Sequence, residues 1–275
     1  MKARLRTPTK GNRMTAAQGR LDGKTVLITG SAERAGRDFA RYLADAGGAI
    51  VINHWRQPAE AEETLRLITE AGGDAIVIEA DVSDPSQART LVEQAAAWRG
   101  DLSVLVHNAS SLRLKEFEDV TVEDFDASFG VNLRGPFFLS QAAAEVMKKQ
   151  GHGRIIALVG NSTSEAWPNL IPHTVAKTGL ARLMEQLAVA LSPVIQCNSI
   201  APAQFFRSDD GSNDELRRYR GEPLAQQGDT YRVGTRFEFR NGNVQDVAEA
   251  ILYLSTCTPW LTGATIRIDG GKALY

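Results

Sequence analysis

The sequence has little cysteine, little net charge and no long apolar run. Cys197 and Cys257 are its two cysteines, too few for a disulfide framework and without the spacing of a zinc site. We therefore expect two reduced thiols in the core and no metal. The formal net charge of -2 gives no reason to expect a nucleic-acid partner. No stretch of roughly 18 apolar residues occurs, so we expect no membrane span.

Acidic residues are missing from residues 1–20, which instead carry Lys2, Arg4, Arg6, Lys10, Arg13 and Arg20. This segment also lacks the apolar stretch of a secretory signal. We expect it to be a flexible basic arm, with an arm that folds over a neighbouring subunit as the alternative. Residues 21–275 then have the length of one domain.

Apolar runs alternate with amphipathic segments along that domain. The pattern predicts strands at 26–29, 49–53, 75–79, 102–107, 154–159, 194–199 and 264–268, and helices at 35–46, 58–71, 85–98, 133–149, 174–191 and 244–255. The strands are unbroken apolar runs, which is typical of a parallel sheet buried on both faces. Right-handed crossovers then give the α/β class, as a single doubly wound, Rossmann-like domain.

One segment interrupts this alternation. Residues 204–243 are rich in Arg, Asp, Gly and Gln and have no clear period. A loop of that length inside a compact domain is usually functional or mobile. Because it follows a strand end, where α/β proteins bind ligands, we interpret it as a substrate loop.

Two glycines bracket the turn between the first predicted strand and the first helix. Gly30 and Gly36 lie in the run TVLITGSAERAG at residues 25–36. Gly30 permits a sharp bend, and the helix N-terminus offers free amides and a partial positive charge to a pyrophosphate. Such a turn alone is weak evidence, but at the start of a βαβ unit it indicates a dinucleotide site.

Further motifs follow along the chain: Thr29-Gly30-x-x-x-Arg34-x-Gly36-Arg37, Asp81-Val82, His107-Asn108-Ala109-Ser110-Ser111, Asn132, Asn198-Ser199-Ile200-Ala201-Pro202 and Asp269-Gly270-Gly271. Over about residues 22–272 they resemble the classical short-chain dehydrogenase/reductase family, in its pteridine-reductase-like form. The resemblance implies that the cofactor is bound by Gly30, Ser31, Arg34, Ala35, His54, Arg56, Gln57, Asp81, Val82, Asn108, Ala109, Ser110, Lys177 and Pro202.

The end of the second predicted strand bears on the choice of cofactor. Sites that prefer NAD place Asp or Glu there to bind the ribose hydroxyls. This chain has Asn-His-Trp-Arg-Gln at 53–57 and no carboxylate before Glu60. Arg56 and Arg34 have forked guanidinium donors, which suit a 2′-phosphate. The sequence therefore predicts NADP(H).

The tyrosine that the resemblance leads us to expect is missing. In the family, that Tyr donates a proton, a Lys four residues later lowers its pKa and holds the ribose, and a Ser thirteen residues earlier binds the substrate oxygen. Lys177 and the family's Asn, Asn132, are present, but His173 stands at the Tyr position and Gly160 at the Ser position. By this resemblance His173, Lys177 and Asn132 are the catalytic candidates.

Three interpretations of His173 stay open. It can replace Tyr as general acid, because imidazole has a reference pKa near 6.5, although the Lys177 ammonium would lower that pKa. Alternatively, a protonated imine or an electron-poor ring accepts hydride without a strong acid. In the third interpretation redox chemistry is lost, and the scaffold binds nucleotide or performs a non-redox reaction such as a cyclisation.

Candidate substrate residues are Ser162, Trp167 and Phe205, near the expected mouth of the pocket. Leu112 stands where pteridine-reductase-like proteins have a stacking aromatic, which argues against a pterin. The resemblance implies a cytoplasmic homotetramer or homodimer, paired through helices 133–149 and 174–191, that reduces a C=O or C=N bond of a small molecule with NADPH. The alternative is an NADP-binding protein without classical redox activity.

Overall fold

Eleven strands and seven α-helices are defined in the computed structural model, which describes residues 20–203, 205–206, 230–233, 237–240 and 242–274. The strands are Thr25–Ile28 (β1), Ala49–His54 (β2), Asp74–Glu79 (β3), Val104–His107 (β4), Gly153–Leu158 (β5), Ile195–Pro202 (β6), Phe205–Phe206 (β7), Thr230–Val233 (β8), Phe237–Arg240 (β9), Gly242–Asn243 (β10) and Thr265–Ile268 (β11). The helices are Arg34–Asp45 (α1), Pro58–Glu70 (α2), Pro85–Arg99 (α3), Val122–Phe129 (α4), Gly135–Gln150 (α5), Ile171–Ala190 (α6) and Val244–Thr256 (α7).

Seven strands form one parallel sheet in the order β11-β6-β5-β4-β1-β2-β3. Side chains of a strand alternate between its faces, and β1 shows the result. Val26 and Ile28 pack in a core with α1, α2 and α7, whereas Leu27 packs in a second core with α3, α5 and α6. The prediction of a single α/β domain with helices on both faces of a parallel sheet is confirmed.

Several predicted boundaries move by two or three residues, and one of these shifts matters for function. Strand β4 begins at Val104, and α5 begins at Gly135, because residues Gly130–Arg134 form a π-helical turn in front of it. Helix α6 begins at Ile171, three residues earlier than predicted, with Pro172 tolerated in its first turn. His173 therefore lies inside the helix, one turn before Lys177.

Helix α4 has no counterpart among the predicted elements. Its apolar residues Val122 and Phe125 are 71% and 46% exposed, whereas its buried residues are Asp124 and Ser128. The usual pattern of an amphipathic helix is thus inverted, which hides the helix from an analysis of hydrophobic periodicity. A capping box formed by Thr121 and Asp124 stabilises its start.

The predicted substrate loop at 204–243 contains short strands. In this segment β7 pairs with β10 in parallel and β8 pairs with β9 in antiparallel fashion. The rest of the segment lies outside the described residues, as do residues 1–19 of the predicted basic arm. Cys197 and Cys257 are free and buried, as predicted. None of the described helices is long and apolar enough to cross a membrane.

Candidate active site

The turn after β1 is packed so tightly that both of its glycines are required. Gly30 has a φ of +61°, and a Cβ there would lie 2.9 Å from Ala109 Cα. A Cβ on Gly36 would lie 2.8 Å from Asn108 Nδ2. That same amide donates to the carbonyls of Thr29 and Gly30, at 2.8 Å each, and joins the ends of β1 and β4. The bare backbone beside the start of α1 fits the pyrophosphate of a dinucleotide.

Arg34 and Arg56 are the non-glycine residues with positive φ in the described chain, at +52° and +57°. At Arg34, where the resemblance predicts a glycine, this is a conformation that glycine adopts freely. The Arg56 guanidinium stacks on Trp55, 4.9 Å from the ring centroid. A left-handed backbone costs a non-glycine residue about 1–3 kcal/mol and is typical of functional positions.

Two carboxylates that sequence reasoning missed stand beside these arginines. Glu33 Oε1 accepts a hydrogen bond from Gln57 Nε2 at 2.8 Å, and Glu79 Oε1 accepts from the Arg56 amide at 3.2 Å. Neither belongs to the end of β2, where a carboxylate would indicate a preference for NAD. His54 is buried, and its Nδ1 accepts from the Gln57 amide at 3.2 Å, so this ring supports the turn before α2.

The remaining predicted cofactor residues follow neighbouring strands at the carboxyl edge of the sheet. Ser31 precedes α1 and Ala35 lies in its first turn, Asp81 and Val82 follow β3, Ser110 follows β4 and Pro202 ends β6. Asp81 Oδ1 accepts from the Ser83 amide and hydroxyl, at 2.9 and 2.7 Å, and Ser31 Oγ donates to the Ile28 carbonyl at 2.8 Å. This edge is where doubly wound folds bind nucleotides.

Asn132 lies fully buried in the π-helical turn before α5 and uses all of its hydrogen-bonding capacity. Its Oδ1 accepts from Ser110 Oγ and the Ser111 amide, at 3.1 and 3.3 Å. Its Nδ2 donates to the Ser111 carbonyl and to Ser128 Oγ, at 2.8 and 3.3 Å. An amide has two lone pairs and two protons, so Asn132 holds the loop after β4 and has no group left for a ligand.

His173 is 8% exposed, and its Nδ1 lies 3.1 Å from the Ser111 carbonyl oxygen. A carbonyl can only accept, so Nδ1 carries the proton and Nε2 presents a lone pair. Burial, and then the Lys177 charge, lower the pKa of His173 to about 4, against the opposing effect of the Ser111 hydrogen bond. The ring is therefore neutral near pH 7, which argues against His173 as a general acid.

Lys177 is 4% exposed and points at the end of β5, where its Nζ donates to the Leu158 carbonyl at 2.8 Å. Burial lowers the pKa of this ammonium to about 8. An ammonium has three donors, so two remain beyond the bond to Leu158. A buried lysine with a lowered pKa and free donors is typical of a functional site.

Gly160, where the resemblance predicts a serine, is followed two residues later by Ser162. Gly160 has a φ of +75° and a ψ of 163°, a conformation that is essentially restricted to glycine. A Cβ built there would lie 3.7 Å from Ser162 Oγ. Ser162 is buried, and its hydroxyl therefore occupies the neighbourhood of the missing residue-160 side chain.

Several buried polar atoms have no hydrogen-bond partner. In the described part of the chain they are His107 Nδ1, Asn161 Oδ1, Ser162 Oγ, Thr174 Oγ1 and Ser199 Oγ. They belong to β4, the β5–α6 connection, the first turn of α6 and β6. Buried polar atoms almost always have partners in native proteins. Each such atom indicates a place where a ligand or water completes the hydrogen bond.

The connection between β5 and α6 is fastened by a network around Glu165. Asn161 Nδ2 donates to Glu165 Oε1 at 3.2 Å and to Asp269 Oδ2 at 3.4 Å, and Trp167 Nε1 donates to Glu165 Oε2 at 3.0 Å. Trp167, a predicted substrate residue, is thus held by Glu165 within the β5–α6 connection. Phe205, the third, lies in β7, and its side chain is outside the described part of the structure.

Comparison with known proteins agrees with this architecture. The model of the family described as short chain dehydrogenase matches residues 24–209. An L-rhamnose 1-dehydrogenase (NAD(P)(+)) of Sphingomonas sp. (strain SKA58) is 34% identical over 259 residues, 91% of this chain and 96% of that protein. An NADPH-dependent aldehyde reductase-like protein of Arabidopsis thaliana is 32% identical over 270 residues, 91% of this chain and 94% of that protein.

A solved structure is similar over almost its whole length. It is a gluconate 5-dehydrogenase from Burkholderia cenocepacia J2315 in complex with NADP and tartrate, with a TM-score of 0.78 and 29% identity, and the match covers 94% of this chain and 98% of that one. The family match spans more than half of the chain and includes the glycine turn, Asn132 and Lys177. The chain belongs to the short chain dehydrogenase family.

Proposed function

We propose that this protein is an NADP(H)-dependent oxidoreductase that transfers a hydride between the nicotinamide and a C=O or C=N carbon of a small organic substrate. The observation that carries the proposal is Lys177, a buried ammonium with two free donors. It lies at the carboxyl edge of the sheet, where the glycine turn also lies. The names of two relatives, which specify NAD(P)(+) and NADPH, support a nicotinamide cofactor.

The preference for NADP(H) rests on Arg34 and Arg56. Both side chains are exposed beside the end of β2, where guanidinium donors suit a 2′-phosphate. Glu33 and Glu79 act in the opposite direction, because a carboxylate repels a phosphate and binds ribose hydroxyls. We favour NADP(H), because both arginines adopt a strained backbone at this one place.

The catalytic arrangement that we propose is atypical. Bound NADPH supplies the hydride. We assign the two remaining donors of Lys177 to the ribose hydroxyls, and we assign Asn132 to holding the Ser110–Ser111 loop. His173 is neutral at working pH and does not deliver the proton. The pteridine-reductase-like assignment stays a prediction, with Leu112 against a pterin substrate.

Assembly as a homotetramer or homodimer and a cytoplasmic location also stay predictions. Exposed apolar residues on α4 and α5 support self-association, since Phe125 and Phe137 are each 46% exposed. They adjoin a groove of about 350 Å³ that Phe129, Leu133 and Phe138 help to line.

The second candidate function is an NADP-binding protein without classical redox activity. It is favoured by the absence of a phenol at position 173 and by the neutral imidazole in its place. A screen of NADPH oxidation against ketones, aldehydes, imines and pterins separates the two, together with NADPH binding by fluorescence. Turnover that Lys177→Met abolishes supports the oxidoreductase. Tight NADPH binding without turnover supports the alternative, and no binding of NADPH contradicts both.

A further inference from the structure

His173 is built as a hydrogen-bond acceptor. Its Nδ1 proton is directed to the Ser111 carbonyl, which Asn132 Nδ2 holds in place from the other side. Within the described chain, His173 Nε2 has no hydrogen-bond partner. A neutral imidazole in this tautomer can only accept at Nε2, so a ligand atom that meets it must be a donor.

The charged groups next to His173 do not favour its protonation. Asp124, 5% exposed, lines a small cavity beside the ring together with Arg113 and Lys115. Arg113 Nη1 lies 3.0 Å from its carboxylate, and Lys115 Nζ is closer still. Because Asp124 is paired in this way, it does not stabilise an imidazolium at position 173. The Lys177 ammonium, one turn along α6, lowers the pKa of His173 and so opposes its protonation.

Ser162 supplies the complementary group. Its hydroxyl is buried and without a partner in the described structure, next to the space that a side chain at Gly160 would fill. A hydroxyl can donate a hydrogen bond to a substrate oxygen. This hydrogen bond becomes stronger as negative charge develops on the oxygen during hydride addition. Leaving it unpaired costs about 1–3 kcal/mol, so the site is incomplete without a ligand or water.

Ser162 and His173 belong to elements that pack against each other. Lys177 Nζ contacts the Leu158 carbonyl, which fixes α6 against the end of β5. Ser162 is four residues beyond Leu158 along the outgoing chain, and His173 is one helical turn before Lys177. The turn Asn161–Thr163, which contains Ser162, packs against α6, which contains His173.

We propose that the site recognises substrates with a hydroxyl next to the reacting carbonyl, which are vicinal diols in the reduced form. The Ser162 hydroxyl donates to the reacting oxygen, and His173 Nε2 accepts from the neighbouring hydroxyl. This inference rests on the proposed function. In the net reaction a hydride from NADPH and one proton from solvent add across the C=O bond, NADP⁺ forms, and His173 and Ser162 keep their own protons.

The test compares 3-hydroxy-2-butanone with 2-butanone, which differ by that one hydroxyl. We expect wild-type kcat/KM to favour the hydroxyketone by about 10–100-fold. His173→Phe should bring the ratio close to one by lowering kcat/KM for the hydroxyketone more than for 2-butanone, and His173→Gln, which keeps an acceptor, should retain part of the ratio. Ser162→Ala should lower kcat/KM equally for both substrates, because the Ser162 hydroxyl acts on the reacting oxygen that both share.

A second measurement does not depend on turnover. In ¹⁵N-histidine-labelled protein with NADP⁺, 2,3-butanediol should shift the Nε2 resonance of His173, and 2-butanol should not. A wild-type ratio near one, or equal losses for both ketones in His173→Phe, would overturn the proposal. If no carbonyl oxidises NADPH, the proposed function fails, and the absence of a diol-specific shift then overturns the recognition as well.

Discussion

Asn132 and His173 donate to the same backbone carbonyl, that of Ser111, at 2.8 and 3.1 Å. Asn132 is saturated with hydrogen bonds and fully buried, so the position of that carbonyl is fixed before any ligand binds. The carbonyl in turn determines which nitrogen of His173 carries the proton. The loop after β4 therefore sets the chemistry at position 173, where the resemblance predicts a phenol.

The pH dependence of turnover should follow Lys177 and not His173. The pKa of His173 is lowered to about 4, so its charge does not change across the range of an ordinary imidazole. Burial lowers the pKa of Lys177 to about 8, so its charge, and with it cofactor binding, is lost as pH rises through that value. We expect kcat/KM for NADPH to be flat from about pH 5.5 to 7.5 and to fall above 8. A decline centred near 6.5 that is absent in His173→Phe would make His173 the acid.

Stability should fall in acid because of His107. This ring is buried with its Nε2 against Ser140 Oγ, and burial followed by the Lys177 charge lowers its pKa to about 3. Between about pH 6.5 and 3 the unfolded chain binds a proton that the folded one does not, so the free energy of unfolding decreases as pH falls. From pH 7 to 5, wild type should lose about 2 kcal/mol more than His107→Gln in urea titrations. The matched control, exposed His152→Gln, should lose as much as wild type.

Lys177→Met should separate stability from function. The pKa of Lys177 is lowered from 10.5, so its burial costs stability below about pH 8, and this cost disappears as pH rises toward 10.5. Removing the ammonium leaves the Leu158 carbonyl unpaired, which offsets part of the gain. We expect a net stabilisation of about 1 kcal/mol at pH 7 and a loss of NADPH binding. Lys148→Met, at an exposed lysine, is the control for stability and for NADPH binding. A Lys177→Met protein that is destabilised and binds NADPH normally would contradict the assignment of Lys177 to the cofactor.

The sheet and the glycine turn could be predicted because local signals carry them. Strands buried on both faces read as apolar runs, and Gly30 and Gly36 are forced by atoms of the adjoining turns. Helix α4 could not, since it exposes Val122 and buries Asp124, against the pattern on which prediction depends.

The positions of the candidate site are predictions from the sequence, whereas the hydrogen bonding of its side chains could not be predicted. The direction of the His173 proton depends on a carbonyl 62 residues away in the chain, which no local pattern reveals. Glu33 and Glu79 reach the end of β2 from two other elements, so the residues that directly follow β2 in the sequence do not reveal them. In both cases the deciding contact is between residues that are distant in sequence.

Restoring a phenol should require one substitution and not two. His173→Tyr places a phenol beside the Lys177 charge, which lowers the phenol pKa, while Ser162 already supplies a buried hydroxyl. Gly160→Ser puts a side chain into a glycine-only conformation and should cost about 1–3 kcal/mol. We expect His173→Tyr to gain NADPH-dependent reduction of a reactive diketone at matched cofactor affinity. Adding Gly160→Ser should lower Tm without raising the rate, and a double variant faster than the single one would refute this role for Ser162.

Replacing Arg34 or Arg56 by glycine should stabilise the fold and weaken the preference for NADPH over NADH. Both residues hold a positive φ that glycine adopts freely, so Arg34→Gly and Arg56→Gly should each stabilise the protein by about 0.5–1 kcal/mol. Each removes a guanidinium from the proposed 2′-phosphate site, so NADPH should bind about 10-fold or more weakly while NADH is nearly unaffected. Arg66→Ala, an exposed arginine paired with Glu63 and Glu70, is the control and should leave the ratio of the two affinities unchanged. The measurements are urea titrations and fluorescence titrations with both cofactors. Equal losses for NADPH and NADH would remove the basis for NADP(H), and Glu33 and Glu79 would then be the ribose ligands to test.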